Sequence, residues 1–485
     1  MPDALNKGSV GTATDDRPQA AVPPWARVAD VLTLVLLGAA LALASGGFLR
    51  LRLGALRISA SSATQAAIWA AVLIAIRHWR VRRPSMAARW WQTVKRWSRD
   101  EAIRAAVPVA LTTRLAMGML GLYGVFVFGY PPITLPFRLD RDELINLPGR
   151  WDAGWYLGIA RLGYSWNPES THQQNVAFFP AYPLMMRVVG QLFGGSMTET
   201  AVAGVLISTV AFVWALVVLY RLTRDRPVHG TADQAHAAIL LLAVYPFSVF
   251  YGAVYTESLF LLAAVSAFWH VTHNRWLRVG AWGLFAGLLR PNGFLLCVPL
   301  ALMALPRSRT SDAARRDTRL GRVVPLAAAC APVAGVLVFS AFVYTLTGNP
   351  FQWAEIQSTW GRSFSGLEWI TSPLDYMMRY GVLTYVKDAP ADTLNLAAAL
   401  FVLAVMVPVT RTLGLAYGSF VVLTLIIPLT RGGVLSIGRI SSTLFPIFIW
   451  LALRVPQTRR GLWVAAFAMG EGLLALLFYT WRPPY

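Results

Sequence analysis

Apolar segments long enough to cross a lipid bilayer, or nearly so, recur along this chain at about 28–48, 63–79, 105–128, 199–220, 235–254, 256–271, 279–289, 293–305, 323–346, 393–410, 412–430, 440–455 and 461–480. A helix needs about 20 apolar residues to span the hydrocarbon core, and in lipid its backbone polar groups must be paired internally. Roughly thirteen such segments, several of them short, predict an all-α polytopic membrane protein. With 56% hydrophobic and only 14% charged residues, the chain lies outside the range of ordinary soluble domains. The net charge of +20 does not indicate a nucleic-acid partner, because the basic residues come in short clusters between apolar spans, as cytoplasmic loops do. Cys297 and Cys330 both lie inside apolar runs and read as small buried hydrophobes.

The basic clusters orient the chain. Arg77, Arg80, Arg82, Arg83, Arg89, Lys95, Arg96, Arg99 and Arg104 lie between the second and third spans and place that segment in the cytoplasm. The clusters Arg221–Arg224–Arg226 and Arg307, Arg309, Arg315, Arg316, Arg319 and Arg322 fall on the same side only if residues 177–194 do not cross. That segment, AFFPAYPLMMRVVGQLFG, carries Arg187 and paired prolines and is expected to lie as an interfacial helix on the outer face. The expected organisation is a disordered cytoplasmic tail over 1–26, an extra transmembrane hairpin with its basic cytoplasmic segment over 27–104, and a catalytic domain over 105–480 with external loops at 130–198 and 348–392. No internal repeat is visible, which lowers the odds of a transporter built from duplicated halves.

The longest polar interruption, Arg150 to Pro183, is expected to be an active-site loop. Its first half, RWDAGWYLGIARLGY, reads as a short amphipathic helix with Trp151, Trp155, Ile159 and Leu162 on one face and Gly163 as its stop. Asp152 stands at the mouth of that helix, and Tyr156 one turn on is expected to face outward with it. The second half carries His172, Gln173, Gln174 and Asn175, then Phe178, Phe179 and Tyr182 among prolines. An ionisable residue at the edge of a span needs a partner or a task. Glu257 in YTESLF, Arg290 in LLRPNGF, Arg362 in QSTWGRSF and Arg439 in IGRISS all map to the same outer face as Asp152. Each has a plainer reading: Asp152 as a helix N-cap, Glu257 as a structural partner of Arg290 or Arg439, Arg187 and Arg431 as headgroup snorkellers. Glu471, deep in the last span, has no evident role. The convergence of carboxylates, arginines and aromatics on one face suits a lipid phosphate and a sugar, since arginine binds phosphate bidentately.

The motifs RWDAGWYLGIARLGY, NVAFFPAYPL, YTESLF, LLRPNG, TGNPFQWAEIQSTWGR and LSIGRISSTLFPIF, in that order over roughly residues 150–450, make the sequence resemble the PIG-V family, which adds the second mannose to the glycosylphosphatidylinositol core, and its bacterial relatives. The resemblance implies a GT-C-type membrane glycosyltransferase fold of about 13 transmembrane helices with extracytoplasmic interfacial helices, and inverting transfer of mannose from polyprenyl-phosphate mannose. It implies that an acidic residue of the first large external loop, here Asp152, is the general base. Ile440 stands where many relatives have an aromatic residue, and residues up to 104 lie outside the resemblance. The high Ala, Arg and Trp content suggests a GC-rich bacterium, with a glycolipid or glycan acceptor.

The expected site therefore comprises Asp152 as base; Arg290, Arg439 and Arg362 on the donor phosphate; and Tyr156, Trp151, His172, Gln174, Phe179, Tyr182, Glu257, Asn292 and Trp360 around the substrates. No metal ligands are assigned and no cofactor is expected. The expected location is a bacterial plasma membrane with the N-terminus cytoplasmic and the site extracytoplasmic. The alternatives are a GT-C transferase for arabinose or glucose, a lipid flippase or transporter, and a scaffold subunit with a decayed site.

Overall fold

The computed structural model describes residues 22–44, 49–53, 56–60, 63–81, 84–132, 137–225, 227–305, 319–364 and 366–483. The expected disordered tail lies outside these residues up to position 21, as do Arg82, Arg83, Arg226, Arg307, Arg309, Arg315 and Arg316. The chain divides into two compact units, Met1–Gly46 with Ala60–Lys95, and Gly47–Ser59 with Arg96–Tyr485. In the smaller unit, α1 (Pro24–Ala44) pairs with α2 (Ala63–Arg80), and α3 (Met86–Arg99) begins. Asp30 of α1 is buried between Arg77 of α2, at 2.9 Å, and Arg89 of α3.

The larger unit starts with a two-stranded hairpin, β1 (Leu49–Leu53) and β2 (Leu56–Ala60), the one strand pairing among the described residues of an otherwise helical chain. Its helices are α4 (Glu101–Phe128), α5 (Glu143–Asn146), α6 (Ala153–Leu162), α7 (Ala181–Leu192), α8 (Met197–Arg224), α9 (Ala232–Ala243), α10 (Glu257–Thr272), α11 (Trp276–Leu289), α12 (Cys297–Ala304), α13 (Arg319–Thr347), α14 (Gln352–Glu355), α15 (Glu368–Tyr380), α16 (Val382–Asp388), α17 (Pro390–Leu413), α18 (Leu415–Gly432), α19 (Ile437–Ser442), α20 (Phe445–Arg454) and α21 (Gln457–Tyr479). Local chemistry sets several starts. Asp100 caps α4 by accepting from the Ile103 amide, and capping boxes Ser196/Glu199 and Thr231/Gln234 open α8 and α9.

Among the described residues, α4, α8, α13 from Val323, α17, α18 and α21 are long and apolar enough to cross a membrane. The segment expected as one span at 235–254 is broken: α9 and the 3-10 turn Pro246–Gly252 meet at 82°. The segments at 256–271, 279–289 and 440–455 are helices of 16, 14 and 10 residues. Apolar on every side, α10 has 13 of its residues buried and forms the centre of the core. Helices α11 and α13 cross at backbone contact, since a Cβ at Gly287 or Gly335 would strike the backbone of Pro332 or Leu284. That crossing fixes where α11 ends, and so where Arg290 stands.

Candidate active site

Four elements of the larger unit bring one charged side chain each to a single buried network. Glu257 is the first residue of α10, where the helix dipole favours an anion. Arg290 follows α11 in extended conformation, φ −152° and ψ 149°, because Pro291 denies it the helical region. Arg439 sits in the short helix α19, and Asp152 immediately precedes α6. Arg439 Nη1 donates to Asp152 Oδ2 at 2.6 Å, while its Nε lies 3.1 Å from Glu257 Oε1. Arg290 Nη1 lies 3.2 Å from the same Glu257 oxygen. Glu257 is 1% exposed, both arginines 9%, and Asp152 18%. Asp152 is therefore the acid that water or substrate can reach. It makes no cap hydrogen bond to α6, so the helix-cap reading does not apply.

The framework around these charges is aromatic and rigid. The Tyr255 hydroxyl accepts from the Asp152 amide at 3.1 Å and donates to the Arg150 carbonyl at 3.2 Å, holding the loop at both sides of Trp151. The Arg439 guanidinium lies over the rings of Tyr255 and Phe250, and that of Arg290 over Phe260. Helix α19 is clamped by the Asn395 side chain accepting from the Gly438 amide, by Tyr245 on Ser441 and by Tyr251 on the Ser442 carbonyl. A side chain at Gly438 would collide with the Phe247 ring. Trp151 and Ser436 both adopt left-handed backbone, φ 54° and 61°. Such strain costs about 1–3 kcal/mol per residue and gathers where a site must be pre-shaped.

The remaining residues proposed from sequence divide by place. Tyr156 is buried among Phe178, Tyr182 and Tyr255 instead of facing outward with Asp152. The buried residues of α6 are Ala153, Tyr156, Leu157, Ile159 and Ala160, and Leu162 is 88% exposed. The apolar face read from sequence holds at Ile159 and at Trp151, which packs on the core, but fails at Leu162, and Trp155 is half-buried. Burial first, and the Glu257 charge second, push the Tyr156 phenol up to about 12, so it stays protonated at neutral pH. Trp151 donates its indole N–H to the Phe478 carbonyl and packs on Trp481. Gln174 closes its own loop by bonding both backbone groups of Asn167, and His172 is exposed. Phe179 packs against Phe339 and Trp353, and Tyr182 is fully buried with its hydroxyl on the Gly204 carbonyl. Gln174, Phe179 and Tyr182 are thus held in loop closure or core packing. Asn292 is half-buried in the turn after Arg290, Trp360 meets Trp155 and Phe178, and Arg362 donates to Gln357 and lies on Gly432.

Sequence reasoning missed other residues. Arg150, fully buried, donates to the Tyr479 carbonyl, to Tyr130 and to Glu143. Its position two residues before Asp152 was the available signal. Arg187 does not reach for headgroups; it caps the C-terminus of α6 through the Ala160 and Ile159 carbonyls. Glu471 pairs with Arg114 of α4 at 2.6 Å.

The molecule is thus a polytopic helical membrane protein with a neutral, buried set of two carboxylates and two guanidinium groups under an aromatic loop. Residues 138–365 match the family model of mannosyltransferase (PIG-V). The rat GPI alpha-1,6-mannosyltransferase 2 is 28% identical over 260 residues, covering 51% of this chain and 51% of the relative. The human GPI alpha-1,6-mannosyltransferase 2 is 28% identical over 211 residues, 41% of each. The match thus spans about half the length of these relatives, or less. Over these residues the chain is similar to the PIG-V mannosyltransferases. Its helices also align at a TM-score of 0.36 and 14% identity with the Archaeoglobus fulgidus oligosaccharyltransferase, over 77% of this chain and 53% of that one.

Proposed function

We propose that this protein is an inverting mannosyltransferase of the GT-C type that takes mannose from polyprenyl-phosphate mannose and attaches it to a glycolipid or glycan on the extracytoplasmic side of a bacterial plasma membrane. The observation that carries the reading is the shared network of Asp152, Arg439, Glu257 and Arg290. The donor phosphate takes up the guanidinium groups of Arg439 and Arg290, and Glu257 keeps both aimed. Asp152, no longer held by Arg439, accepts the proton of the acceptor hydroxyl as its oxygen attacks C1 from the face opposite the phosphate. The C1–O bond breaks and its electron pair goes to the phosphate oxygen. The phosphate gains one negative charge as Asp152 loses one, so the net charge of the pocket is unchanged through the step.

No cofactor or metal enters this scheme. The flippase reading has less behind it than at the level of sequence, because Glu471, its main candidate for a charged path, is engaged by Arg114 and Ser248. A different prenyl-phosphate sugar keeps the same site, and a donor panel separates the two.

The test is mannose transfer from synthetic polyprenyl-phosphate mannose to a membrane lipid extract, by purified wild type and Asp152→Asn in parallel, with a chelator present. Loss of a positioned base costs roughly 10²–10⁴-fold, so the variant should retain at most about 1% of wild-type rate with unchanged thermal stability. Activity of the variant within a few fold of wild type removes Asp152 as the base.

A further inference from the structure

We propose that Trp155, Trp360 and the bare face of α6 beside them form a stacking corner that seats the acceptor's sugar ring next to Asp152; this rests on the transferase reading above. Trp155 lies one helical turn from Asp152, its amide donating to the Asp152 carbonyl at 3.0 Å. The rise over those three residues, roughly 4.5 Å, is comparable to the width of one pyranose ring. Trp155 stacks on Phe178 at 5.6 Å and 16°, which commits one indole face to the protein. Trp360, from the turn after α14, meets Trp155 nearly edge-on at 5.8 Å and 66°, and Phe178 at 5.8 Å and 74°. Phe178 is itself fixed by the Tyr164 hydroxyl on its carbonyl and by Tyr156 against its ring. Two rings of the 150–183 segment and one from the turn after α14 thus build one corner, with Trp360 crossing the other two at 66° and 74°.

Two observations point to a ligand there. The first is hydrogen bonding. The indole N–H groups of Trp151 and Trp353 are used, on the Phe478 carbonyl and Ser340, whereas those of the half-buried Trp155 and Trp360 donate to no atom of the described residues. The second is the glycine pair Gly154 and Gly158. Both stand inside a ten-residue helix, where each costs about 1 kcal/mol against alanine, yet a Cβ at either would meet nothing within 4 Å. Packing does not require them. Gly158 lies on the strip that runs from Asp152 through Trp155, so the helix offers a flat, open ledge beside the ring face. A sugar presents C–H groups to an aromatic face and hydroxyls to N–H donors, which is what this corner offers.

The experiment uses the full-length protein. With the membrane lipid extract titrated as acceptor, Trp155→Ala should raise the acceptor KM roughly tenfold, with donor KM unchanged and Trp155→Phe recovering part of the loss. Gly158→Leu should keep or raise thermal stability, since it replaces glycine with a better helix former, while also raising the acceptor KM. A purely structural role for either residue predicts the opposite pairing. If wild type transfers mannose and neither variant alters the acceptor KM, the corner is wrong and the transferase reading stands. If wild type transfers nothing, tryptophan fluorescence titrated with methyl α-D-mannopyranoside decides the corner alone. A saturable change in wild type that is lost in Trp155→Phe/Trp360→Phe upholds it, and no change in wild type overturns it.

Discussion

Two buried charge clusters sit in the same unit, and they differ in how far their carboxylates are satisfied. Around Glu471, Arg114 donates to the carboxylate at 2.6 Å, to the Ala243 carbonyl at 2.8 Å and to the carbonyl and hydroxyl of Ser248, and the Ser248 hydroxyl bonds Glu471 as well. That cluster satisfies the broken end of α9 and holds the Pro246–Gly252 turn in place, with the Arg114 Nε left without an aligned partner. Around Glu257, the ion pairs lie within 3.2 Å, but both carboxylate oxygens are buried without an aligned hydrogen bond. A buried polar group left partly unsatisfied costs free energy. In the Glu471 cluster Oε1 accepts from both Arg114 and Ser248, whereas both oxygens of Glu257 lack an aligned donor.

Substitutions can break that contrast or sharpen it. Glu471→Ala leaves Arg114 uncompensated, and breaking one side of a buried pair costs about 3–5 kcal/mol. The expected outcome is a large drop in thermal unfolding temperature in detergent, with turnover of the folded fraction within a few fold of wild type. Glu257→Gln should differ from it in the rate. Stability should fall as well, because the amide keeps the shape but leaves the buried guanidinium groups of Arg290 and Arg439 with one carboxylate fewer. Mannose transfer should fall roughly 10²-fold, about 2.7 kcal/mol, because the arginines lose the charge that aims them. Equal effects of the two variants on stability and rate would erase the distinction. The smallest effect is expected from Tyr255→Phe, which removes one hydroxyl from the Asp152 amide and the Arg150 carbonyl and should slow turnover roughly tenfold with little change in donor KM.

Much of this was legible in the sequence because charge is conspicuous in an apolar chain. Asp152, Glu257, Arg290 and Arg439 stood out as ionisable residues at span edges, and the structure joins all four. Their partners were not legible. Arg114 and Glu471 are 357 residues apart, and nothing local in either span announces the pairing. The apolar face of α6 was read correctly at Ile159 but not at Leu162, and Trp155, which counts as apolar in any periodicity, is only half-buried. Gln174 drew attention as a polar residue near the site, yet it folds back seven positions onto Asn167, a closure that a polar loop with Pro168 could have suggested. The break after α9 was signalled by Pro246, but a continuous apolar run masked it.

The anchoring of the Asp152 loop has a temporal side. Arg150 and Trp151 are held by the carbonyls of Tyr479 and Phe478, the first of them 329 residues downstream. A chain threaded into the bilayer from its N-terminus lays down this loop long before its fastening exists. Until α21 is in place the loop rests on its earlier anchors, among them Tyr130, Glu143 and Tyr255, so its final fastening is laid down last.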